Sequence, residues 1–438
     1  MRYPVELARM HLRERPRFRL LLGGLSVGVV SGLVITAYRL GIERVGEGLR
    51  EFLLTARGDP LKALLYVGIM ALMGVAAALC LKLAPLISGS GIPQVAAQLA
   101  GHLKVRWQRV LPFKFLGGIL TLGGGLTLGR EGPSVQLGAA VGQAFGEVVN
   151  RPDGERRFLV SCGAAAGLAS AFNAPIAGLI FALEELHRHF SSLALVSAAA
   201  AAFAGTLAAS WTFGIQPVLD VTGMGAFPLH NYWLLIVLGL VTGLSGVFFN
   251  VCILRGKALW GRFLKGRRRG WLWSGVLPFV AVALVCLAFP QLLGSGEPMI
   301  FLPRGTENPP LWGVLALYAA KLALLTFCFG GGLPGGIFFP LLVLGSLVGN
   351  GVGQIACQLG LMEPQYVLAL SLMAMTGHFA AIVRSPLTGI LLISEMTGAF
   401  AYMFPLGLVA MVSYGVAELC RSEPIYESLQ KLLPLTPP

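Results

Sequence analysis

Apolar runs long enough to cross a bilayer recur from one end of this 438-residue chain to the other, and no other feature limits its possible folds as much. Clear cases are 20–39, 62–86, 272–293 and 402–420, with further apolar stretches between them. A spanning helix needs roughly 17–25 such residues, whereas a membrane barrel shows alternating segments of about ten. Charged residues are 12% of the chain, about half of the roughly 25% usual for a soluble domain. The expected fold class is therefore an all-α polytopic membrane protein. The 58 glycines and 26 prolines are many for plain spanning helices. They fit helices that pack closely or break beside a cavity. Cys80, Cys162, Cys252, Cys286, Cys328, Cys357 and Cys420 lie scattered in apolar segments without CxxC spacing. They read as small buried hydrophobes.

The net charge of +13 is concentrated beside the apolar runs. "MRYPVELARMHLRERPRFR" carries six arginines before the first run, and "RGKALWGRFLKGRRR" (255–269) carries seven basic residues and no acid. Basic clusters next to spans mark the cytoplasmic side, which places both segments in the cytoplasm, and both termini are expected there too. No basic domain interleaved with aromatics is present to bind nucleic acid; the expected surroundings are the lipid bilayer. The N-terminal stretch is too long and too rich in arginine for a signal peptide, and reads as a cytoplasmic amphipathic helix. The chain ends about 18 residues past the last apolar run, so no C-terminal soluble domain is expected.

The chain also repeats itself. "GGGLTLGREGPSVQLGAAVG" (123–142) and "GGGLPGGIFFPLLVLGSLVG" (330–349), at an offset of 207, are identical at ten of twenty positions. "APIAGLIFALEE" (174–185) matches "SPLTGILLISEM" (385–396) at an offset of 211, pairing Pro175, Gly178 and Glu184 with Pro386, Gly389 and Glu395. These offsets are near half the chain, which predicts two membrane repeats, 1–225 and 226–438. Transporters are often built from two such repeats, with the binding site at mid-membrane where discontinuous helices begin.

Each repeat block reads as an apolar helix, a glycine-rich break and a new helix opened near a proline. Pro133 and Pro340 suit a first helical turn, where a missing N–H is no loss. A helix that starts inside the membrane presents unpaired N–H groups and the positive end of its dipole, an anion site made without a fixed cation. "ISGSGIPQ" (87–94) is a third break, in which Ser90 adds a hydroxyl before Pro93. Glycines placed only for helix packing are the simpler alternative. Within 110–150 the only charges are Lys114, Arg130, Glu131 and Glu147, and charges at membrane depth are costly and usually functional.

"GSGIP" (89–93), "GREGP" (129–133) and "GGIFFP" (335–340) resemble the three signature stretches of the ClC chloride channel and transporter family. "AAAGLASAFNAPIAGLIFALEE" (164–185), "SPLTGILLISEMT" (385–397) and "EPIYESL" (423–429) are similar to that family too, in the same order along nearly the whole chain. The resemblance implies two inverted-topology repeats and a homodimer with one anion pathway per subunit, resident in a bacterial inner membrane. It implies that chloride is held by the hydroxyls of Ser90 and Tyr426 and the backbone amides of Ile337 and Phe338, with the amides of Arg130 and Gly132 flanking an outer site. Gly89, Gly91, Pro93, Gly129, Pro133, Gly335 and Gly336 would shape those breaks. No cofactor and no metal is expected.

In this reading Glu131 is similar to the family's gating glutamate. Its carboxylate occupies an anion site when ionised and leaves when protonated, so proton and anion compete for one place. The alternative is a structural ion pair with Arg130. Glu185 matches the internal proton-transfer glutamate of the exchangers, where channel members carry a non-acidic residue. Glu184 matches its neighbour and is expected to pair with Lys114. Two acids and Arg188 capping a helix end is the plainer reading of that stretch. The expected function is exchange of chloride for protons, with a passive chloride channel of the same fold as the alternative.

An enzyme reading rests on Glu184-x-x-His187, the spacing of a metal-ligand pair on one helix face. It lacks a second such pair, since His11, His102, His189, His230 and His378 supply none. The sequence departs from the family pattern at Phe339, bulkier than the usual alanine, at "GGGLP" (330–334), and at the histidines of "LHRHF" (186–190). The resemblance implies, through Ser90 and Pro133, a preference for chloride over fluoride, with nitrate or bromide tolerated.

Overall fold

In hydrocarbon every backbone N–H and C=O must find its partner inside the segment, so the apolar runs fold as helices. The computed structural model describes residues 14–187, 192–221, 224–304 and 308–434. In chain order its helices are α1 Glu14–Ala56, α2 Pro60–Leu83, α3 Ile92–Leu99, α4 Trp107–Gly123, α5 Glu131–Val148, α6 Asp153–Phe172 and α7 Pro175–Phe181, which runs on as a π-helical turn, Ala182–His187. There follow α8 Ser192–Phe213, α9 Trp233–Leu264, α10 Gly270–Ala288, α11 Leu311–Gly330, α12 Phe338–Gln358, α13 Val367–Val383, α14 Pro386–Thr397, α15 Met403–Leu419 and α16 Ile425–Gln430. Nine helices among the described residues are long and apolar enough to span a membrane. The fold is all-α and multi-pass, as expected. Of the expected N-terminal amphipathic helix, residues 1–13 lie outside the described residues, as do Arg188 and His189.

Glycine sets how closely these helices approach. Gly138 and Gly142 of α5 face Gly163 and Leu159 of α6, and a Cβ at either position would run into the opposing backbone carbonyl. Gly345 and Gly349, 207 residues later, let α12 lie against Leu370, Ala374 and Met375 of α13 in the same way. Gly24, Gly28 and Gly32 of α1 meet the backbone of Ser197, Ala201 and Gly205 of α8. Small residues spaced by four are how membrane helices gain dispersion contact where no hydrophobic driving force separates helix from lipid. So part of the glycine content does serve packing, as the simpler alternative held. The breaks use glycine differently: Gly125 and Gly332 take φ of 74° and 77°, a region only glycine enters freely, and so turn the chain out of α4 and α11.

The three breaks are stitched together edge to edge. Gly129 and Gly336 exchange two N–H···O=C bonds of 2.7 Å each. Gly89 donates to the Gly332 carbonyl at 3.1 Å and accepts from Gly335 N–H at 3.1 Å. The Thr121 hydroxyl donates to the Pro334 carbonyl. The starts of α3, α5 and α12 therefore converge on one place in the interior.

Candidate functional site

Glu131 is the first residue of α5 and is 1% exposed, deep among apolar helices. Its Oε2 accepts a hydrogen bond of 3.3 Å from the N–H of Phe339, in the first turn of α12. A carboxylate thus sits on the positive end of a helix contributed by the other half of the sequence. The amides of Ile337 and Phe338 open the same turn, where a helix offers its N–H groups no acceptor of its own. The residue that receives the carboxylate is one position beyond the pair expected to hold the anion.

Ser90 and Tyr426 complete the pocket. Both hydroxyl oxygens are buried and make no hydrogen bond, an arrangement that costs free energy unless something polar visits them. Gly132 has no side chain because Ser90 lies there: a Cβ would overlap the Ser90 Oγ. Gly91, at φ 95°, precedes α3, and Pro93 stands in its first turn. Pro133 and Pro340 take the third position of α5 and α12. Tyr426 lies beside Ser90 and within electrostatic reach of both Glu131 and Glu185. The structure therefore brings Ser90, Tyr426, Ile337, Phe338, Gly132 and Glu131 together.

Arg130 does not pair with Glu131. Its guanidinium reaches Glu43 of α1 at 3.6 Å. Phe339 lines a small cavity with Arg130 and Glu131, and its ring stacks on Phe172 with centroids 6.2 Å apart. The bulk noted in the sequence therefore stands beside Glu131.

One expected pairing is wrong. Lys114 is fully buried, but its Nζ donates to the carbonyls of Ile87 at 2.9 Å and Gly89 at 2.7 Å, not to Glu184. Those carbonyls end the 85–87 turn and open the Ser90 break, and the lysine satisfies what no helix there can. Glu184 instead accepts from Leu387 N–H, Thr388 N–H and the Thr388 hydroxyl, at 3.2, 2.7 and 2.8 Å, at the N-terminus of α14. Its repeat partner Glu395 returns the contact, accepting from Ile176 and Ala177 N–H at 3.1 and 2.7 Å at the start of α7. A reciprocal exchange of this kind requires the two segments to be related by a two-fold axis.

Glu185, the very next residue, turns the other way. It is 5% exposed and accepts a hydrogen bond of 2.7 Å from the Ser385 hydroxyl. Consecutive residues of a helix point about 100° apart, so neighbouring acids meet different partners; the turn that carries them is π-helical, a feature often found at working sites. His187 contacts the Ser161 hydroxyl at 2.6 Å. Glu184 and His187 thus face different partners, and the metal-pair reading loses its geometry. No cluster of three potential metal ligands occurs among the described residues.

A fourth break went unread in the sequence. "GSGEP" (294–298) repeats "GSGIP" at an offset of 205, and Lys321 holds it as Lys114 holds the first, donating to Leu292 and Gly294 carbonyls at 2.9 and 2.6 Å. The literal match was the available signal.

Helices broken at depth around a buried carboxylate, two unpartnered hydroxyls and exposed helix N-termini define an ion-handling membrane protein. The chain belongs to the voltage gated chloride channel family, whose model matches residues 71–418. It is 34% identical to the H+/Cl− exchange transporter ClcA of Citrobacter koseri, over 97% of this chain and 90% of that one. Against the protein of the same name from Vibrio cholerae strain M66-2 the identity is 35%, over 95% and 90%. The crystal structure of a slow cyanobacterial Cl−/H+ antiporter superposes with a TM-score of 0.89 at 30% identity, covering 94% of this chain and 97% of that one.

Proposed function

We propose that this protein exchanges chloride for protons across the membrane, with Glu131 as the place where the two ions compete. The observation that carries the reading is the Glu131 carboxylate on the Phe339 N–H, at the meeting of two helix N-termini. Two unit negative charges 4 Å apart repel by about 4 kcal/mol at an effective dielectric constant of 20. That is roughly a thousandfold in occupancy, so an ionised Glu131 and a chloride do not share neighbouring positions freely. Protonation removes the charge that holds the side chain on the helix end, and the neutral acid gives way to the anion. Neutral donors suit this cycle because an ion that is bound must also leave.

Glu185 supplies the proton from the other side. It stands near Tyr426 and the Ser385 hydroxyl, and this buried acid on the way from the cytoplasm favours an antiporter over a passive channel. Relatives named as H+/Cl− exchangers support the same choice. The chloride donors in this reading are Ser90, Tyr426 and the amides of Ile337 and Phe338, with those of Arg130 and Gly132 outside them.

The remainder of the reading is a transporter without enzymatic activity or cofactor, working as a homodimer in a bacterial inner membrane. It has two repeats, 1–225 and 226–438, and cytoplasmic termini. The basic segment 255–269, the end of α9 and its link to α10, supports that orientation.

The test is proton movement in liposomes carrying the purified protein, under a chloride gradient with the membrane potential controlled. Uphill proton movement that disappears in Glu131→Gln and Glu185→Gln is the expected result. Chloride flux without proton movement in the unmodified protein would sink the exchange mechanism and leave a channel.

A further inference from the structure

The inner anion loop has a counterpart on the outer face. Gly89 N–H donates to Gly332 at 3.1 Å, and Gly294 N–H donates to Gly125 at 2.8 Å, the same bond 205 to 207 residues apart. Lys114 and Lys321 hold the two loops from behind in the same manner. Ser90 has its equal in Ser295. The chemical change is Ile92, which is fully buried, against Glu297, which is partly exposed.

Helix order fixes which side each loop faces. The Ser90 loop follows two crossings, α1 and α2, and lies on the side of the N-terminal segment. The 294–298 loop follows α10, which crosses back from the basic 255–269 segment, and so lies on the opposite, external side. There Glu297 and Ser295 line a cavity of about 210 Å³ together with Arg130, Phe339 and Glu131 itself. This volume holds several waters, and its walls supply polar partners for them.

Among the described residues, the charges around Glu297 come from three helices. On α1, Glu43 is paired with Arg130, the residue just before α5, and Arg39 lies within electrostatic reach of Glu43, Arg130 and Glu297. On α11, Lys321 is committed to the loop carbonyls. On α5, Glu131 is the buried carboxylate. The other lining residues, Ile42, Leu122, Leu128 and Phe339, are uncharged. A carboxylate at this mouth repels the anion that has to pass, so its use lies with the other ion.

Resting on the exchange reading above, the geometry points to Glu297 as the external proton relay. Its carboxylate takes a proton from outside water and passes it through cavity water to the Glu131 carboxylate. Glu297 is then ionised again, and Glu131 is neutral and free to leave the helix end. The proton count is unchanged at each transfer.

The test uses the full chain in liposomes, with chloride-driven proton movement read while external pH is varied from about 5 to about 8. Glu297→Gln slows coupled exchange roughly fivefold or more at the alkaline end, as expected for loss of a proton-transfer group. The rate recovers toward that of the unmodified protein at the acid end, where bulk protons reach Glu131 directly, and Glu297→Asp keeps most of it. In a Glu131→Ala background, where chloride flux needs no proton, Glu297→Gln raises that flux about twofold by removing a repelling charge. A slowing by one factor at every pH, no slowing at all, or a fall of chloride flux in the Glu131→Ala background would each overturn the relay. An unmodified protein that moves no protons overturns the exchange reading and the relay together. A coupled protein indifferent to Glu297→Gln overturns the relay alone.

Discussion

At the break before α5 the first helical residue is Glu131, and at the break before α12 the residue in the same place is Phe338. The two stretches otherwise share a frame: glycines at φ 74° and 77°, prolines in the third helical position, and helix-spacing glycines seven and eleven residues past Glu131 and Phe338. Around them Lys114 repeats as Lys321, and Glu184 repeats as Glu395, each with the same kind of partner. The charged residues assigned to ions do not repeat, although Ser90 does, as Ser295. Arg130 faces Ile337, Ile92 faces Glu297, and Glu185 faces Met396. The groups that satisfy backbone are duplicated, because both halves break their helices and both expose the same carbonyls and amides. One half then supplies a carboxylate and the other the helix end that receives it.

The sharpest way to break this comparison is to make the two halves alike where they differ. Glu131→Gln leaves the side chain's shape and removes its charge. Coupled proton movement should fall on the order of a hundredfold or more, the scale of a lost proton-transfer group, in the liposome assay. Phe338→Leu, at the matching place, should preserve proton coupling. Equal losses in the two variants would dissolve the distinction.

Next come the lysines, for which the comparison predicts equality. Lys114→Met leaves the Ile87 carbonyl without a donor and the Gly89 carbonyl with the Gly335 N–H alone, and Lys321→Met leaves the Leu292 and Gly294 carbonyls without one, a loss of about 2–3 kcal/mol in each case. Thermal unfolding in detergent should show two similar shifts. A large shift for one and none for the other would mean that the halves do not share a frame at these loops.

Smaller still is the exchanged pair. Glu184→Ala and Glu395→Ala each uncap a short helix and should cost about 1–2 kcal/mol, typical of a carboxylate lost from a helix N-terminus. Proton coupling should survive Glu184→Ala and fail in Glu185→Ala, although the residues are neighbours.

The smallest effect separates α2 from α10. Asp59 caps α2 by accepting from Leu61 and Lys62 N–H at 2.9 and 3.3 Å, whereas α10 begins at Arg269 with no side-chain cap. The Lys62 and Leu61 amides hold the Asp59 carboxyl below its ordinary value of 3.8. Because the folded-state value lies below the unfolded one, the stabilisation is present at neutral pH and fades as pH falls through the folded value. Asp59→Asn should remove this acid-limb dependence in an unfolding titration, while Arg269→Ala should leave it in place.

Much of this was legible because it is local. Length and apolarity of the runs give the spans, glycine and proline give the breaks, and an offset near 207 gives the duplication. Glu131 stood out as a charge amid apolar sequence. The 294–298 break was equally legible, since it repeats four of five letters of "GSGIP". The Lys114–Glu184 pairing failed for a different reason. Opposite charges in apolar segments suggest each other, but sequence does not show which backbone carbonyls and amides a broken helix leaves open, and those groups took both side chains.

The sequence by itself determined that this chain is a duplicated bundle of membrane helices with helix starts inside the bilayer, because hydrophobic length and backbone breaking act within a segment. The tertiary structure decided which helix end each acid meets: Glu131 with α12, Glu184 with α14, Glu395 with α7 and Glu185 with Ser385. Those meetings join residues about 200 positions apart. They depend on the fold bringing unsatisfied N–H groups of one half against carboxylates of the other, which no local pattern encodes.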